Sequence, residues 1–572
     1  MAILANKRTK RWQARPAMSP GHARQFTDLH PLIAQLLYNR NLTTPAQVAA
    51  FFDTTAVPPS PLGPPALAGV ELAVERLTRA VHDGEPIVVY GDYDADGVSA
   101  TALLVTMLRA AGGRVSPYIP DRMDEGYGLN REALRKLKES GQRVVITVDC
   151  GVRSDGEVAY GAELGLDMIV TDHHHVGDTL PPALAVINPK QPACAYPYKD
   201  FSGVGLAFKL AQALYEARSL PAFPDPLPET ADLVALGTVA DLVPLTGENR
   251  MLVRRGLERI RRTPRPGVRA LLTAARTGEL NARTIGYALG PRLNAAGRLE
   301  SALAAYDLLV TTDDDEAMRL ALYLDQTNRE RQDHTRAAGL RARELALSSA
   351  TEAPLIFAAA REFLPGVVGL AAGRLADEFY RPAFVVAIGE TESRGSARSI
   401  PEFHVTRALD RCADLLVRHG GHAAAAGFTV RNENLPALEE RLGAIAHAEL
   451  SALELVPTLI YDTEVRLGEL NYDVLKMLRE LEPCGFDNPQ PVFLSRGARI
   501  RSQRTVGAEG KHLKLALLDE RNATWDAIAF GQGDWLSRLS PRIDLLYTLE
   551  SNLWNGEERL QLNVQDLRPA ET

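Results

Sequence analysis

The stretch Ile87-Val88-Val89-Tyr90-Gly91-Asp92-Tyr93-Asp94-Ala95-Asp96-Gly97 decides the fold. Its apolar run from Ile87 to Tyr90 reads as a buried strand, which breaks at Gly91 into acids on alternate positions. Gly97 then opens a helix-like run from Val98 to Arg109. Strand, acidic turn and helix make the start of an α/β unit. Carboxylates at the end of a parallel strand converge above the edge of the sheet, where open α/β folds place ligands. Acids crowded in this way repel one another unless a cation neutralises them. Taken alone, the stretch is explained equally well as a polar loop that caps a helix.

Neighbouring segments bear on that choice. From about Val70 to Leu245, candidate strands Val115–Ile119, Val144–Val148, Met168–Val170 and Ala185–Ile187 alternate with helical segments, the pattern of a parallel sheet. Asp149 closes the strand at Val148, Asp172-His173-His174-His175 follows Thr171, and Asp241 ends Gly237-Thr238-Val239-Ala240. A lone aspartate after a strand commonly caps a helix. Several element ends of one domain, each delivering an acid or a histidine to the same sheet edge, point instead to one site. Aspartates with imidazole and no thiolate suit Mn2+ or Mg2+ better than a structural zinc. Their number suggests two ions about 3.5–4 Å apart, the arrangement of phosphoester hydrolysis. No GxxxxGK[ST] sequence is present, so ATP-driven work is not expected. Gly203-Val204-Gly205 is a partial dinucleotide fingerprint and reads as helix–sheet packing.

With 572 residues, 45% hydrophobic and 24% charged, the chain should fold as several domains with ordinary cores. A net charge of −8 excludes a general polyanion binder, so nucleic acid must be met by local basic patches or metal ions. Cys150, Cys194, Cys412 and Cys484 form no CxxC pair, which argues against disulfides and zinc knuckles and fits a reducing cytosol. No apolar run approaches the roughly 20 residues that span a bilayer. The basic start (Lys7 to Arg11) leads into no signal-type segment, so a cytoplasmic location and no membrane contact are expected. Residues 1–69 read as a helical lead-in that ends in the proline-rich Pro58–Pro65. The α/β catalytic segment takes 70–250, a helical connector 251–350 with a long helix from Asp313 to Ser348, a second α/β segment 351–455, and short strands suggesting a small β-barrel 456–572.

In order, Asp94-x-Asp96, Val148-Asp149-Cys150-Gly151, Asp172-His173-His174, Gly237-Thr238-Val239-Ala240-Asp241 and Gly290-Pro291-Arg292-Leu293-Asn294-Ala295-Ala296-Gly297-Arg298 resemble the successive motifs of the DHH phosphoesterases. Gly420-Gly421-His422 resembles the hallmark of their associated DHHA1 domain, and across residues 70–572 the chain is most similar to the RecJ exonucleases. The resemblance implies a parallel-sheet DHH domain, a long helix, a DHHA1-type domain and an OB-like barrel. It implies a metal-dependent exonuclease that degrades single-stranded DNA from 5′ to 3′, releasing mononucleotides in DNA repair and recombination. By motif position Asp94, Asp96, Asp149, His173 and Asp241 hold the metals, Asp149 also serving catalysis, and His174 acts at the scissile phosphate. Asp92 and His175 stay unassigned, with a surface or capping role expected for each. Implied partners are single-stranded DNA, a single-strand-binding protein and a recombination helicase, with the enzyme a monomer. Other DHH hydrolases, acting on short oligoribonucleotides, cyclic dinucleotides or pyrophosphate, and a metal-free replication scaffold remain the alternatives.

Substrate contacts are read from residue chemistry and then from the resemblance. Ser396 and Arg398 combine a hydroxyl, a guanidinium fork and nearby amides, which suits a terminal phosphate. The resemblance adds Arg298 to that grip on the 5′ end. Tyr127, flanked by glycines, can offer its ring to a base. With Arg122 it corresponds to a loop that screens out duplex. His422 can meet backbone phosphate from its glycine setting, the glycines alternatively permitting close helix approach. Arg496, Arg499, Arg501, Arg504, Lys511 and Lys514 suggest a phosphate-tracking groove on the barrel.

Overall fold

The computed structural model describes residues 10–121, 128–299, 301–348, 354–554 and 557–570. Its central element is a five-stranded sheet in the order Arg114–Tyr118, Pro86–Gly91, Val144–Val148, Asp167–Thr171, Ala185–Ile187. All pairings are parallel. Strands Pro86–Gly91 and Val144–Val148 are buried almost throughout, as parallel strands covered by helices on both faces must be. The strand order reverses between these two, which makes their carboxyl ends the crevice of the sheet. Gly91 pairs with Val148 and Val148 with Thr171, so Asp92, Asp149 and Asp172 leave the sheet side by side.

One apolar core runs from Leu67 through Leu214 and Leu271 to Leu324. The helices read from sequence as a connector over 251–350 therefore belong, as far as Leu324, to the catalytic body. Only the helix Asp314–Ser348 goes further. Its 35 residues span about 50 Å. Leu320 and Leu324 lie in the first core, while Ala338 and Ala342 lie in a second, under Ile356, Val368 and Val385. Side-chain patterning alone does not show that one helix serves two cores. The second body carries a mixed sheet in the order Leu416–Gly421, Ala425–Arg431, Glu392–Arg398, Ala383–Ala387, Ile356–Ala360.

At the C-terminal end five strands close into a barrel: Phe493–Val506, His512–Leu518, Thr524–Ala529, Glu557–Pro569 and Arg542–Trp554, the last returning to the first. Three of them have 13 or 14 residues, longer than the short strands expected, and bulges bend them. The N-terminal lead-in is no separate segment. Arg11–Ala14 is a strand paired with Thr458–Tyr461, and Ile33, Leu36 and Leu37 share the barrel core with Leu515 and Tyr547. Each fully buried leucine there contributes about 1.5–3 kcal/mol. The barrel docks on the catalytic body through Leu245, whose N–H donates to the Phe486 carbonyl (2.9 Å). Arg250 donates to the carbonyls of Leu481 (2.8 Å) and Glu480 (3.1 Å) and stacks on the Phe51 ring.

Candidate active site

The acidic loop is held by the elements around it. Asp94 is the N-cap of helix Ala95–Ala110 and accepts from the N–H groups of Asp96 (2.9 Å) and Gly97 (3.1 Å). Gly97 must be a glycine, since a Cβ would lie 2.6 Å from the Asp92 carbonyl oxygen. Asn294 accepts from the Ala95 N–H at 2.6 Å, which ties the Gly290–Leu299 helix to the loop. Asp96 is 1% exposed and accepts from the N–H groups of Gly203 (2.6 Å) and Val204 (2.9 Å) at the start of helix Gly203–Ala217. The first two residues of the run read as packing thus serve a carboxylate at a helix N-terminus, where the dipole favours negative charge. They serve packing as well, because a Cβ on Gly203 would sit 2.5 Å from that of Asp149.

Asp149 follows its strand at φ +63°, a left-handed conformation that turns its side chain into the crevice. His173 Nε2 lies 3.1 Å from Asp149 Oδ1 and 3.5 Å from Asp241 Oδ2. Asp241 is the C-cap of helix Pro226–Ala240, the dipole end that disfavours a carboxylate. Ligand atoms of three overlapping groups come within 4.8 Å of one another: Asp149, His173 and His174; Asp96, His173 and Asp241; Asp92, Asp94 and Asp149. Asp92, expected at the surface or as a cap, is instead 4% exposed and belongs to this cluster, because register carries it out beside Asp149. His174 takes its orientation from Asp172, which accepts from its N–H (3.1 Å) and meets its Nδ1 (2.7 Å), while the Val152 N–H donates to the same carboxylate (2.9 Å).

Burial, and next the charge of Asp94, push the Asp96 carboxyl up to about 7. Burial and then Asp96 push Asp149 and Asp241 well above the usual range. Burial, reinforced by His174, takes His173 down to about 3. Burial would lower His174 too, but the hydrogen bond and charge of Asp172 leave it raised. Asp241 Oδ2 and His173 Nε2 are buried with no hydrogen-bond partner among the described residues. Crowded carboxylates, an imidazole kept neutral and orphaned ligand atoms fit divalent cations, and the oxygen-rich donor set suits hard ones.

Stability should follow. An unfolded aspartate titrates near 3.9. The metal-free fold binds extra protons between there and about 7, so the cluster's contribution is full below the lower value and is lost as pH rises through the upper. Added Mn2+ is therefore expected to raise the melting temperature more at pH 8 than at pH 6, measured by calorimetry against chelated protein. Equal rises would contradict the cluster as the binding site.

The second body brings Ser396 and Arg398 to the first turn of helix Val368–Phe379, where a Cβ on Gly369 would lie 3.0 Å from Ser396 Oγ and 3.3 Å from Arg398 Nη2. Arg298 donates to the Gly366 carbonyl at 3.4 Å, so all three flank the loop Gly366–Gly369. Hydroxyl, guanidinium and helix start together suit an anion. His422 lies edge-on to His175, ring centroids 6.2 Å apart, so the Gly420-Gly421-His422 turn faces the histidine turn across the gap between the bodies. Arg122 and Tyr127 lie outside the described residues. On the barrel, Arg496 pairs with Glu464 and Asp544, Arg499 with Asn522, Arg501 with Thr524 and Lys514 with Asp526. Cross-strand neighbours thus occupy much of the basic run.

Residues 86–238 match the DHH family N-terminal domain, 352–448 the DHHA1 domain and 461–566 the RecJ OB domain. The single-stranded-DNA-specific exonuclease RecJ of Bacillus subtilis is 39% identical over 547 residues, covering 95% of this chain and 68% of that protein. That of Escherichia coli is 36% identical, covering 88% of this chain and 91% of that protein. The chain belongs to the RecJ family. RecJ from Thermus thermophilus in complex with Mn2+ superimposes with a TM-score of 0.85 at 34% identity, over 98% of this chain and 80% of that one. The Mg2+ complex of the same protein gives 0.79 at 32% identity, over 98% and 79%.

Within this RecJ fold, sequence reasoning passed over the supports of the two histidines. Asn188 donates to the His174 carbonyl at 2.8 Å and Lys190 to that of His173 at 2.7 Å. Both follow the strand Ala185–Ile187, one position further along the same edge. That placement was the available signal for them. Asp172 was visible as part of its motif, and its hold on His174 appears only in the fold.

Proposed function

We propose that this chain is a metal-dependent exonuclease that degrades single-stranded DNA from the 5′ end to 5′-mononucleotides, in DNA repair and recombination. Its RecJ relatives are named for single-strand specificity. One observation carries the reading: a cluster of carboxylates and imidazoles faces, across the His175–His422 contact, a body that holds Ser396 and Arg398 at a helix start. Asp94, Asp96, Asp149, His173 and Asp241 would hold two Mn2+ or Mg2+ ions, the ions of the Thermus complexes. Such ions, when bound, supply Lewis acidity at the phosphoryl oxygens.

The chain's own residues do the rest. Arg298, Ser396 and Arg398 grip the terminal phosphate and set the distance to the scissile bond, so the cut falls one nucleotide in. Water attacks the phosphorus that joins the first and second nucleotides, losing a proton to solvent, and the bond from that phosphorus to the 3′ oxygen of the departing nucleotide breaks. His174, held at Nδ1 by Asp172, gives its proton to that oxygen. Arg122 and Tyr127 screen out duplex, and His422 meets the strand backbone. Among the described residues no helix is long and apolar enough to cross a membrane. The free cysteines support a cytoplasmic location. We assign a monomer, with a single-strand-binding protein and a recombination helicase as partners.

The test is a Mn2+-dependent time course on single strands labelled at either end. Loss of mononucleotides from the 5′ end is expected, with duplex spared; digestion from the 3′ end, or cleavage of dinucleotides alone, would refute the reading. In the same assay Arg398→Ala is expected to slow 5′-phosphorylated strands by about 10- to 100-fold. 5′-hydroxyl strands should be slowed far less.

A further inference from the structure

The helix Gly290–Leu299 stands between the acidic cluster and the second body, with contacts on each side. Gly290, Asn294 and Gly297 follow one another at four- and three-residue steps and so share one face. That face lies on both acid-bearing turns. Asn294 Oδ1 accepts at 2.6 Å from the N–H of Ala95, the residue between Asp94 and Asp96. A Cβ on Gly297 would come within 2.5 Å of the Tyr93 carbonyl oxygen. One on Gly290 would come within 3.1 Å of the Ala240 Cβ, next to Asp241. Arg292 turns elsewhere, to Asp325 of the long helix, its Nε at 2.9 Å and its Nη2 at 2.7 Å from Oδ1. Arg329 holds the other oxygen of that carboxylate at 2.6 Å. At the far end Arg298 donates to the Gly366 carbonyl, and a Cβ on Gly366 would overlap the Arg298 carbonyl oxygen.

Two details make this helix more than packing. The Ala95 amide is one of the donors that a helix start leaves over, and Asp94 already serves those of Asp96 and Gly97. Asn294 therefore fixes the one peptide that the acidic turn leaves unheld, and with it the directions of Asp94 and Asp96. Leu293 and Ala296 are meanwhile buried in the first core, so the helix responds as one packed piece. A shift of Gly366 as its loop closes on an anion is passed through Arg298 to Asn294, about 6 Å along the axis.

We propose that this helix couples the terminal-phosphate grip to the cation sites, with Asn294 as the positioning residue. A phosphate held by Arg298, Ser396 and Arg398 steadies the acidic turn, so the cluster holds its cations more tightly when a 5′ end is in place. The inference rests on the exonuclease reading above and adds to it a control on when the cations are retained.

The probes are two short strands with uncharged methylphosphonate linkages, one ending in a 5′-phosphate and one in a 5′-hydroxyl. Neither offers the cluster a charged backbone, so the two differ only at the grip. Mn2+ affinity at saturating probe is read from the electron paramagnetic resonance of free Mn2+. In the parent the 5′-phosphate probe is expected to tighten Mn2+ binding about 5- to 150-fold over the 5′-hydroxyl probe. Asn294→Ala should bring that ratio close to one while affinity for the 5′-phosphate probe in chelator stays within about twofold. Asn294→Asp keeps an acceptor for the Ala95 amide and should keep the ratio, since its added charge acts alike with either probe. Should Asn294→Ala not fold, Asn294→Ser, whose hydroxyl falls short of the amide, carries the same expectation. A parent ratio of one, or a ratio that survives without the asparagine amide, would overturn the coupling. Equal affinity of the parent for the two probes in chelator would instead overturn the terminal-phosphate grip, and the coupling with it.

Discussion

Asp149→Asn is expected to lower kcat on single-stranded DNA by about 10³-fold or more, while strand affinity in chelator stays within about twofold. Asp149 stands in two of the three ligand groups and 3.1 Å from His173, so its carboxylate is shared by more of the cluster than that of Asp241. On the proposed reading the strand is gripped through Arg298, Ser396 and Arg398, none of which this substitution touches. Asparagine is the informative replacement. The position lies at φ +63°, which asparagine tolerates and alanine does not, so Asp149→Ala adds about 1–2 kcal/mol of backbone strain to the chemical loss. Removing one of several crowded charges should also make the metal-free Asp149→Asn protein melt higher than its parent. Equal loss of binding and hydrolysis would show Asp149 to be structural.

Asp172→Asn should be nearly as costly, with kcat down about 10²- to 10⁴-fold and KM little changed. Asp172 itself is a positioning residue: it receives the Val152 N–H and both nitrogens that His174 offers it. An amide there presents N–H where the His174 ring needs an acceptor, so the ring turns and its proton is misplaced. Asp172→Ala goes further, leaving buried donors unanswered and costing about 3 kcal/mol of stability. Kinetics on folded Asp172→Asn, with melting followed in parallel, separate the two effects. A fall in KM-dependent affinity without a fall in kcat would count against the orienting role.

The sheet and most of the cluster were legible because β-strand chemistry is local. Apolar runs that end at Gly91, Val148 and Thr171 announce both the strands and the edge where Asp94, Asp96, Asp149 and His173 collect. Asp241 was legible by motif, although it arrives from a helix end. What stayed hidden depends on distant partners. Nothing near Asp96 says that the amides of Gly203 and Val204 will receive it, and nothing near Leu36 says that its core belongs to a barrel more than 400 residues away. Asp92 looked dispensable because it stands beside the residues that match the motif, whereas its burial comes from the neighbouring strand's register. Arg496 and Lys514 looked unopposed in sequence because Glu464, Asp544 and Asp526 reach them from other strands.

The loop that leaves Asp241 reaches, at Leu245, the main-chain bond to Phe486 that docks the barrel. A carboxylate of the acidic cluster and the domain joint are thus two ends of one short piece of chain. If ordering that piece couples the two, a cation held at Asp241 and docking of the barrel stabilise each other by the same amount.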